Sequence, residues 1–389
     1  MYKAIYASTW DLVDESLDQA LEHIRACGAN TVTLAASHAA GPMPQSRPAG
    51  RTSSAADGTV YFRARPERYG HIKPQVHPVV SDCDALAELH SAAPDLGRAA
   101  WVASCLDAPS DVPEADYLSR NAFGEPSSRR LCPAHPAVRD YVVNLCSDLA
   151  RGYDLAAVVL EAPSWLPCEK GCHSELAAAP LDRWARTLLS FCFANATRHA
   201  ARAAGIDADR LQAQARELLE RYRAADVVPA GVAAAWFADV VSGPEWAAFL
   251  NWRCRQVADL VTDVKAALPA GTALAVILTA PDRDSAGRLE GMDIGMLAAA
   301  ADALEIPVCA ADAQEAYLEA RDVRRGAGAA AALRCILRPP LRGDGAATRD
   351  TVLELKRVGV AGIAWYDYHH IRRAGLSPAK AAFDALGSA

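Results

Sequence analysis

The sequence has no uninterrupted apolar segment that could cross a membrane as a helix. A spanning helix needs about 18 to 20 consecutive apolar residues, whereas segments such as AAVVLEA and ALAVIL have the length of strands. Near the amino terminus, Asp11, Asp14 and Glu15 interrupt the region where a secretory signal requires an apolar core. We therefore expect a cytoplasmic protein without a membrane partner.

Runs of lysine or arginine are also missing, and the formal net charge is -7. Such a chain lacks the basic patch that nucleic-acid binding requires. The sequence contains no phosphate loop, dinucleotide-binding fingerprint, Gly-x-Ser-x-Gly elbow or His-Glu-x-x-His pair. We predict no nucleic-acid partner, and a sugar or another small neutral molecule as the ligand.

The cysteines do not suggest a disulfide framework. There are 11 of them, an odd number scattered along the chain, and several fall in predicted strands. Free buried thiols in a reducing compartment explain this pattern. The motif Cys168-x3-Cys172-His173 resembles half of a zinc site, but only the distant Cys192 could complete it. We predict no metal and no cofactor, and assign His173 to substrate binding.

Short apolar segments with β propensity alternate with amphipathic helical segments along the whole chain. The strand candidates are residues 3–8, 30–37, 99–106, 155–162, 272–278, 303–309, 331–337 and 362–368. Nearly continuous apolar runs are typical of strands buried on both faces of a parallel sheet. Eight such strands predict an α/β protein with a (β/α)8 TIM-barrel fold.

Two segments are too long for ordinary barrel loops. Residues 38–81 follow strand two and are polar and rich in proline and glycine, and residues 163–270 follow strand four and contain several helical patterns. We interpret them as a loop insertion and a helical insertion within one domain that spans residues 1–389. A small helical subdomain would give the same pattern as the second insertion.

Glu161 is the main catalytic candidate. It ends the apolar run AAVVLE and precedes the turn residues APSW, which puts it at the carboxyl end of strand four, where TIM barrels carry their active sites. Desolvation there favours a protonated general acid, and a nearby arginine favours an ionised nucleophile. A structural carboxylate bonded to a lysine or arginine is the alternative.

Two further acids could be the partner of Glu161. Asp367 lies in WYDYHH, where aromatic rings surround an acid, although this segment could instead close the barrel against the first helix. Asp282 follows strand five in a loop where a solvated aspartate would also be ordinary.

Four more residues are predicted to bind substrate because they follow strands at the same end of the barrel. Trp10 and Tyr366 offer rings for sugar faces, His38 follows strand two, and Arg338 follows strand seven as an anchor for a hydroxyl or an anion. His38 could equally bond to the insertion that follows it, and Arg338 could form a surface ion pair.

Residues 121–165 resemble bacterial barrel glycosidases and hypothetical glycosyl hydrolases. The shared pattern is an Asn-x-x-Gly segment, then Cys-Pro-x-His-Pro-x-Val-Arg, a helix, and a strand that ends in an acid. The matching positions are Asn121, Gly124, Cys132, Pro133, His135, Pro136, Arg139 and Glu161. The segments GVAGIAWYDY and FCFANATRHAARAAG also resemble that family. The resemblance implies a TIM barrel that acts on a carbohydrate.

The chain departs from that pattern in ways that affect the roles. Retaining enzymes of the largest barrel clan have Asn-Glu on strand four and a glutamate on strand seven, whereas this chain has Leu160-Glu161 and then Arg338. Comparison with amylase-like barrels implies that Glu161 is a nucleophile and that its acid comes from strand five or a loop, where Asp282 fits loosely.

The sequence thus leads to a glycoside hydrolase-like enzyme centred on Glu161. A metal-dependent sugar isomerase, epimerase or lyase is an alternative, with Glu161, Asp282, His173 and Asp367 as ligands. A sugar-binding protein without hydrolytic activity, or an enzyme of a specialised pathway, is a second alternative, because strand seven lacks an acid.

Overall fold

The computed structural model describes residues 1–37, 41–44, 52–55, 58–109, 112, 115–167, 183–226, 231, 234, 238, 242–279, 286–338, 345–368 and 376–387. Within these residues, eight parallel strands close into a barrel. They are β1 (Tyr2–Ala7), β2 (Thr31–Ala35), β3 (Gly97–Ala103), β4 (Ala157–Glu161), β5 (Ala273–Ile277), β6 (Ala303–Val308), β7 (Leu333–Leu337) and β8 (Gly362–Trp365). The predicted TIM-barrel fold is confirmed, and each strand lies within its predicted segment or extends it by at most two residues.

The barrel closes where β1 pairs with β8. Tyr2 is in register with Gly362 and Ile5 with Trp365. A Cβ atom at Gly362 would lie 2.5 Å from both the Cβ and the carbonyl oxygen of Tyr2. Only glycine fits at this closure, because any side chain would push the first and last strands apart.

Helices follow the strands and cover the outside of the barrel. They are α1 (Thr9–Glu15), α2 (Leu17–Ala26), α3 (Val79–Asp82), α4 (Ala85–Ala92), α5 (Pro136–Tyr153), α6 (Arg183–Ser190), α7 (Asn195–Ala203), α8 (Ala208–Ala224), α9 (Pro244–Ala267), α10 (Ala286–Leu289), α11 (Ile294–Ala300), α12 (Ala313–Ala327), α13 (Gly345–Arg357) and α14 (Leu376–Gly387). In the part of the chain described here, no helix is long and apolar enough to span a membrane.

The connection after β2 contains short strands as well as helices. Residues Gly41–Pro44 pair with Thr52–Ala55 in antiparallel fashion, and Thr59–Val60 pair with Gln75–Val76 in parallel. Asp148 of α5 is buried and accepts hydrogen bonds from the Arg65 backbone N–H (2.9 Å), Arg65 Nε (2.6 Å) and the Tyr69 hydroxyl (3.1 Å). These bonds fix this connection to a barrel helix. The predicted division into one domain with two insertions stays a prediction.

Alternating residues of each strand form two separate apolar clusters. Residues such as Val158 and Leu160 of β4 face the helices. Small residues dominate the inside of the barrel, including Ala4, Ala35, Ala99, Ala157, Ala275, Ala303 and Ala364. Because these side chains are short, the interior has room for a few large polar and aromatic ones.

A buried charged pair occupies that room. Glu305 of β6 is fully buried, accepts a hydrogen bond of 2.5 Å from the Tyr6 hydroxyl and forms an ion pair of 3.3 Å with Arg334 of β7. The Arg334 guanidinium in turn lies 3.9 Å from the ring centroid of Tyr2. The three strands β1, β6 and β7 are thus joined across the barrel interior by polar side chains as well as by their backbones.

Replacing Glu305 with alanine should destabilise the barrel strongly. The variant leaves the buried Tyr6 hydroxyl and the partly buried Arg334 guanidinium without their acceptor, and breaking one side of a buried pair costs about 3–5 kcal/mol. Chemical unfolding followed by circular dichroism measures the loss. Glu217→Ala is the matched control, because Glu217 is exposed and pairs with Arg221 one turn along the same helix, so its cost should stay at about 0.5 kcal/mol. Equal losses in the two variants would contradict this account.

Candidate active site

A cavity of about 310 Å³ opens at the carboxyl ends of the strands, where the sequence predicted the active site. Its described lining comprises Tyr6, Trp101, Leu106, Glu161, Ala162, Leu166, Ile277, Leu278, Thr279, Met292, Pro307, Cys309, Ile336, Arg338 and Tyr366. This volume is at the small end of the range for small-molecule sites. Of the predicted site residues, Glu161, Tyr366 and Arg338 meet in this cavity.

Glu161 is half-buried at the end of β4, and a tryptophan side chain of the neighbouring strand holds its carboxylate. The Trp101 indole Nε1 donates a hydrogen bond of 2.9 Å to Glu161 Oε2. The backbone carbonyl of Glu161 accepts from the Ser104 N–H (2.9 Å) and that of Ala162 from the Cys105 N–H (3.2 Å). Both the carboxylate and its backbone are therefore fixed by the neighbouring strand β3 and the residues after it.

The chain bends sharply directly after this carboxylate. Ala162 has φ = +52°, in the left-handed region that residues with a Cβ atom rarely adopt. Strained backbone of this kind persists where surrounding contacts hold it, and it concentrates at functional sites. The bend turns the chain away from the strand direction and leaves the Glu161 side chain at the cavity wall.

Three aromatic rings pack against one another beside Glu161. The ring centroids of Tyr6 and Trp101 are 5.5 Å apart, those of Tyr6 and Tyr366 are 5.9 Å apart, and those of Trp101 and Tyr366 are also 5.9 Å apart. We call Tyr6, Trp101 and Tyr366 the aromatic triad. The exposed Arg338 guanidinium lies 4.9 Å from the Tyr366 ring centroid, so a cation and a carboxylate border the same triad.

Glu305 supports the aromatic triad from the barrel interior, and it was not among the site residues predicted from the sequence. Glu305 does not line the cavity, but its bond to the Tyr6 hydroxyl fixes one ring of the triad. A signal was available, because Glu305 is a charged residue in the middle of the apolar strand ALEIPV. Charged side chains at such positions are almost never buried without a partner.

Thr279 and Glu290 were also missed. Thr279 comes two residues after β5 and lines the cavity, and its hydroxyl donates a hydrogen bond of 2.6 Å to the buried carboxylate of Glu290. A threonine just beyond a predicted strand could have been identified from the sequence. Glu290 could not, since it follows a short helix after the loop and its position depends on how that loop folds.

Asp367 lies outside the cavity lining. Its side chain is only 4% exposed, and its charge acts on the neighbouring Tyr366. The adjacent Tyr368 hydroxyl donates a hydrogen bond of 2.7 Å to Glu15 at the end of α1. This arrangement agrees with the alternative that the last strand end joins the barrel to its first helix, while the catalytic role of Asp367 stays a prediction.

Trp10 belongs to a different aromatic group. Its ring centroid is 5.3 Å from that of His77 and 6.4 Å from that of Tyr61, and it is not part of the described cavity lining. Three other predicted site residues, His38, His173 and Asp282, lie outside the described residues. Within the described ranges, no three His, Cys, Asp or Glu side chains are grouped as a metal site.

Comparison with known proteins gives a fold but no sequence family. The sequence matches no family model and no curated protein. The glycoside hydrolase domain of PgaB (BpsB) from Bordetella bronchiseptica has a similar structure, with a TM-score of 0.63 at 15% identity over 99% of each chain. The catalytic domain of β-amylase from Paenibacillus polymyxa gives 0.59 at 10% identity, covering 97% of this chain and 94% of that one.

A third similar structure is larger than this chain. The α-L-fucosidase isoenzyme 2 from Paenibacillus thiaminolyticus gives a TM-score of 0.57 at 14% identity and covers 98% of this chain but 49% of that one. All three are bacterial glycosidases by name. The chain therefore has the TIM-barrel fold of bacterial glycoside hydrolases, as its sequence resemblance implied, and at these identities the likeness extends to the fold alone.

The aromatic triad should make the free energy of unfolding fall as the pH rises above 10. Burial, together with the charges of Asp367 and Glu161, raises the pKa of Tyr366 above its ordinary value of 10, although Arg338 opposes the shift. A tyrosine with a raised folded-state pKa contributes stability that is fully present below pH 10 and is lost as the pH rises further. Tyr366→Phe should therefore lessen the fall in unfolding free energy above pH 10, by up to about 1.4 kcal/mol per pH unit.

Denaturant unfolding of both proteins between pH 8 and pH 11 tests this expectation. The other titrating groups are common to both proteins, so only the difference between the two slopes matters. Identical slopes above pH 10 would show that Tyr366 titrates normally and that burial in the triad does not stabilise its neutral form.

Proposed function

We propose that this protein is a glycoside hydrolase-like enzyme that cleaves the glycosidic bond of a small or oligomeric sugar at Glu161. One observation carries the proposal: the Glu161 carboxylate lies at the mouth of a TIM barrel, oriented by Trp101 Nε1 and bordered by an aromatic triad. Aromatic rings offer faces for the C–H groups of a sugar, and a carboxylate beside them can act on the glycosidic oxygen or on the anomeric carbon.

Two roles are chemically open to Glu161. As a general acid, it transfers its proton to the glycosidic oxygen while the bond from that oxygen to the anomeric carbon breaks, and water adds to that carbon after losing a proton to a second carboxylate. As a nucleophile, it bonds to the anomeric carbon while the bond from that carbon to the glycosidic oxygen breaks, and a second acid gives its proton to the departing oxygen. Water then loses a proton to that same group and displaces the carboxylate from the anomeric carbon. Either route needs a partner acid or base, for which Asp282 and Asp367 remain candidates.

Arg338 supports a carbohydrate ligand with a polar or charged substituent. It is exposed at the cavity rim, above one member of the aromatic triad, and a guanidinium binds hydroxyls and carboxylates through several parallel N–H groups. Its position at the end of β7 is where the largest glycosidase clan has a glutamate. This difference favours a mechanism that does not use an acid from that strand.

The test is Glu161→Gln, which keeps the size of the side chain and one acceptor oxygen but removes the acid. Wild type and variant are compared on a panel of 4-nitrophenyl glycosides and on natural oligosaccharides. For the glycoside that wild type cleaves, kcat should fall about 10²–10⁴-fold, the usual contribution of a positioned acid or base. Glu217→Gln, on an exposed helix face, should keep the wild-type rate.

An unchanged rate in Glu161→Gln would remove this residue from the mechanism. Binding of sugars by wild type without turnover would instead identify a sugar-binding protein, the outcome that the absent acid on β7 would explain. The cytoplasmic location and the single-domain organisation are also proposals, which cell fractionation and limited proteolysis would test.

A further inference from the structure

We propose that Thr279, held by Glu290, binds a hydroxyl group of the sugar on the β5 side of the cavity and thereby selects glycosides that carry that hydroxyl. This inference rests on the proposed function and adds a specificity contact to it. The residue predicted from the sequence for this side of the cavity was Asp282, which lies outside the described residues. Thr279 is a polar residue on the same side that the structure does describe.

The hydrogen-bond geometry determines which group Thr279 can recognise. Thr279 Oγ1 is 2.6 Å from Glu290 Oε2 and 3.2 Å from the Met292 sulfur. A hydroxyl has one proton, and a carboxylate is a far better acceptor than a thioether. With its proton directed to Glu290, Thr279 Oγ1 keeps lone pairs for the cavity that it lines, so it can accept a hydrogen bond from a donor such as a sugar hydroxyl.

Glu290 is fixed by its surroundings and cannot itself turn into the cavity without disrupting them. Its side chain is 5% exposed, its backbone N–H donates to the Gly287 carbonyl (3.1 Å), and its carbonyl accepts from the Trp165 N–H (3.1 Å). Trp165 belongs to the turn that follows Glu161. The segment that carries Glu290 is therefore tied directly to the segment that carries the catalytic candidate.

The next residue shows how closely this turn is packed. Gly291 has φ = +89°, and a Cβ atom there would lie 3.0–3.2 Å from Val257, from the Arg253 carbonyl and from the Trp165 ring. A glycine is needed for both the conformation and the space. The turn presses against α9 on one side and the Glu161 turn on the other, which gives Glu290 a rigid position.

Arg253 of α9 supplies a positive charge behind this wall. It is 1% exposed, and its guanidinium lies 4.6 Å from the Trp165 ring centroid. Burial lowers the pKa of Arg253 to about 10, while neighbouring groups that include Glu290 act in the opposite direction. The negative charge of Glu290 is thus one of the influences that favour the charged form of Arg253.

The experiment compares 4-nitrophenyl glycosides with their monodeoxy counterparts. Thr279→Val removes the hydroxyl at nearly constant volume, Thr279→Ser restores it, and Glu290→Gln keeps an acceptor but removes its charge. Thr262→Val is the matched control, because the exposed Thr262 donates its hydroxyl proton to the Ala258 carbonyl of its own helix and does not line the cavity.

We expect Thr279→Val to lower kcat/KM about 10–100-fold for the glycoside that wild type cleaves, and to leave the rate unchanged for one monodeoxy analogue. Loss of discrimination at a single hydroxyl is the signature of a direct contact, since a site built to bind a hydroxyl rejects the analogue without it. Thr279→Ser should recover most of the discrimination. Glu290→Gln should lose part of it, because the acceptor that orients the threonine proton is weakened.

A merely structural Thr279–Glu290 bond gives a different result. Thr279→Val would then lower kcat/KM equally for the parent glycoside and for every deoxy analogue, or change neither, and either outcome overturns the inference while leaving the role of Glu161 intact. If wild type cleaves no glycoside, quenching of tryptophan fluorescence by the same compounds applies the same comparison to binding. Wild type that neither cleaves nor binds them refutes both the proposed function and this inference.

Discussion

The hydrogen bond from Tyr6 to Glu305 connects the packed interior of the barrel to the cavity above it. Alanines on the inner faces of several strands leave space at the centre, and the Glu305–Arg334 pair fills part of that space with charges that need partners. The Tyr6 hydroxyl donates a hydrogen bond to the Glu305 carboxylate, and the Tyr6 ring packs against the rings of Trp101 and Tyr366. A buried ion pair of this kind adds little net stability, so its main effect here is to fix the orientation of an aromatic ring.

That orientation reaches the candidate catalytic group through one further contact. Trp101 packs edge-on against Tyr6 and donates its indole N–H to Glu161. The carboxylate is thus positioned by a side chain that is itself positioned by the barrel interior. A catalytic group held within a fraction of an ångström by packed neighbours avoids the cost of being oriented during the reaction. The strained backbone at Ala162 fits the same pattern, because only rigid surroundings maintain such a conformation.

The sequence was sufficient to predict the fold and to bring three of the predicted site residues to one cavity, for physical reasons. Apolar runs separated by amphipathic helices determine a parallel barrel, and barrel geometry then brings residues at strand ends together, as it does for Glu161, Arg338 and Tyr366. Trp10 shows the limit of that rule, since a strand end followed at once by a helix directs the side chain toward Tyr61 and His77. Glu290 shows a second limit, because the position of a residue that follows a loop depends on how that loop folds.

Hydrolysis at this site requires that a sugar binds against the aromatic triad with its scissile bond at Glu161. A crystal structure of Glu161→Gln with a bound oligosaccharide tests this claim most directly. The account predicts a sugar ring in contact with Trp101 or Tyr366 and the glycosidic oxygen or anomeric carbon within about 3.5 Å of the residue 161 side chain. A sugar bound elsewhere on the protein, with the cavity at the barrel mouth empty, would contradict it.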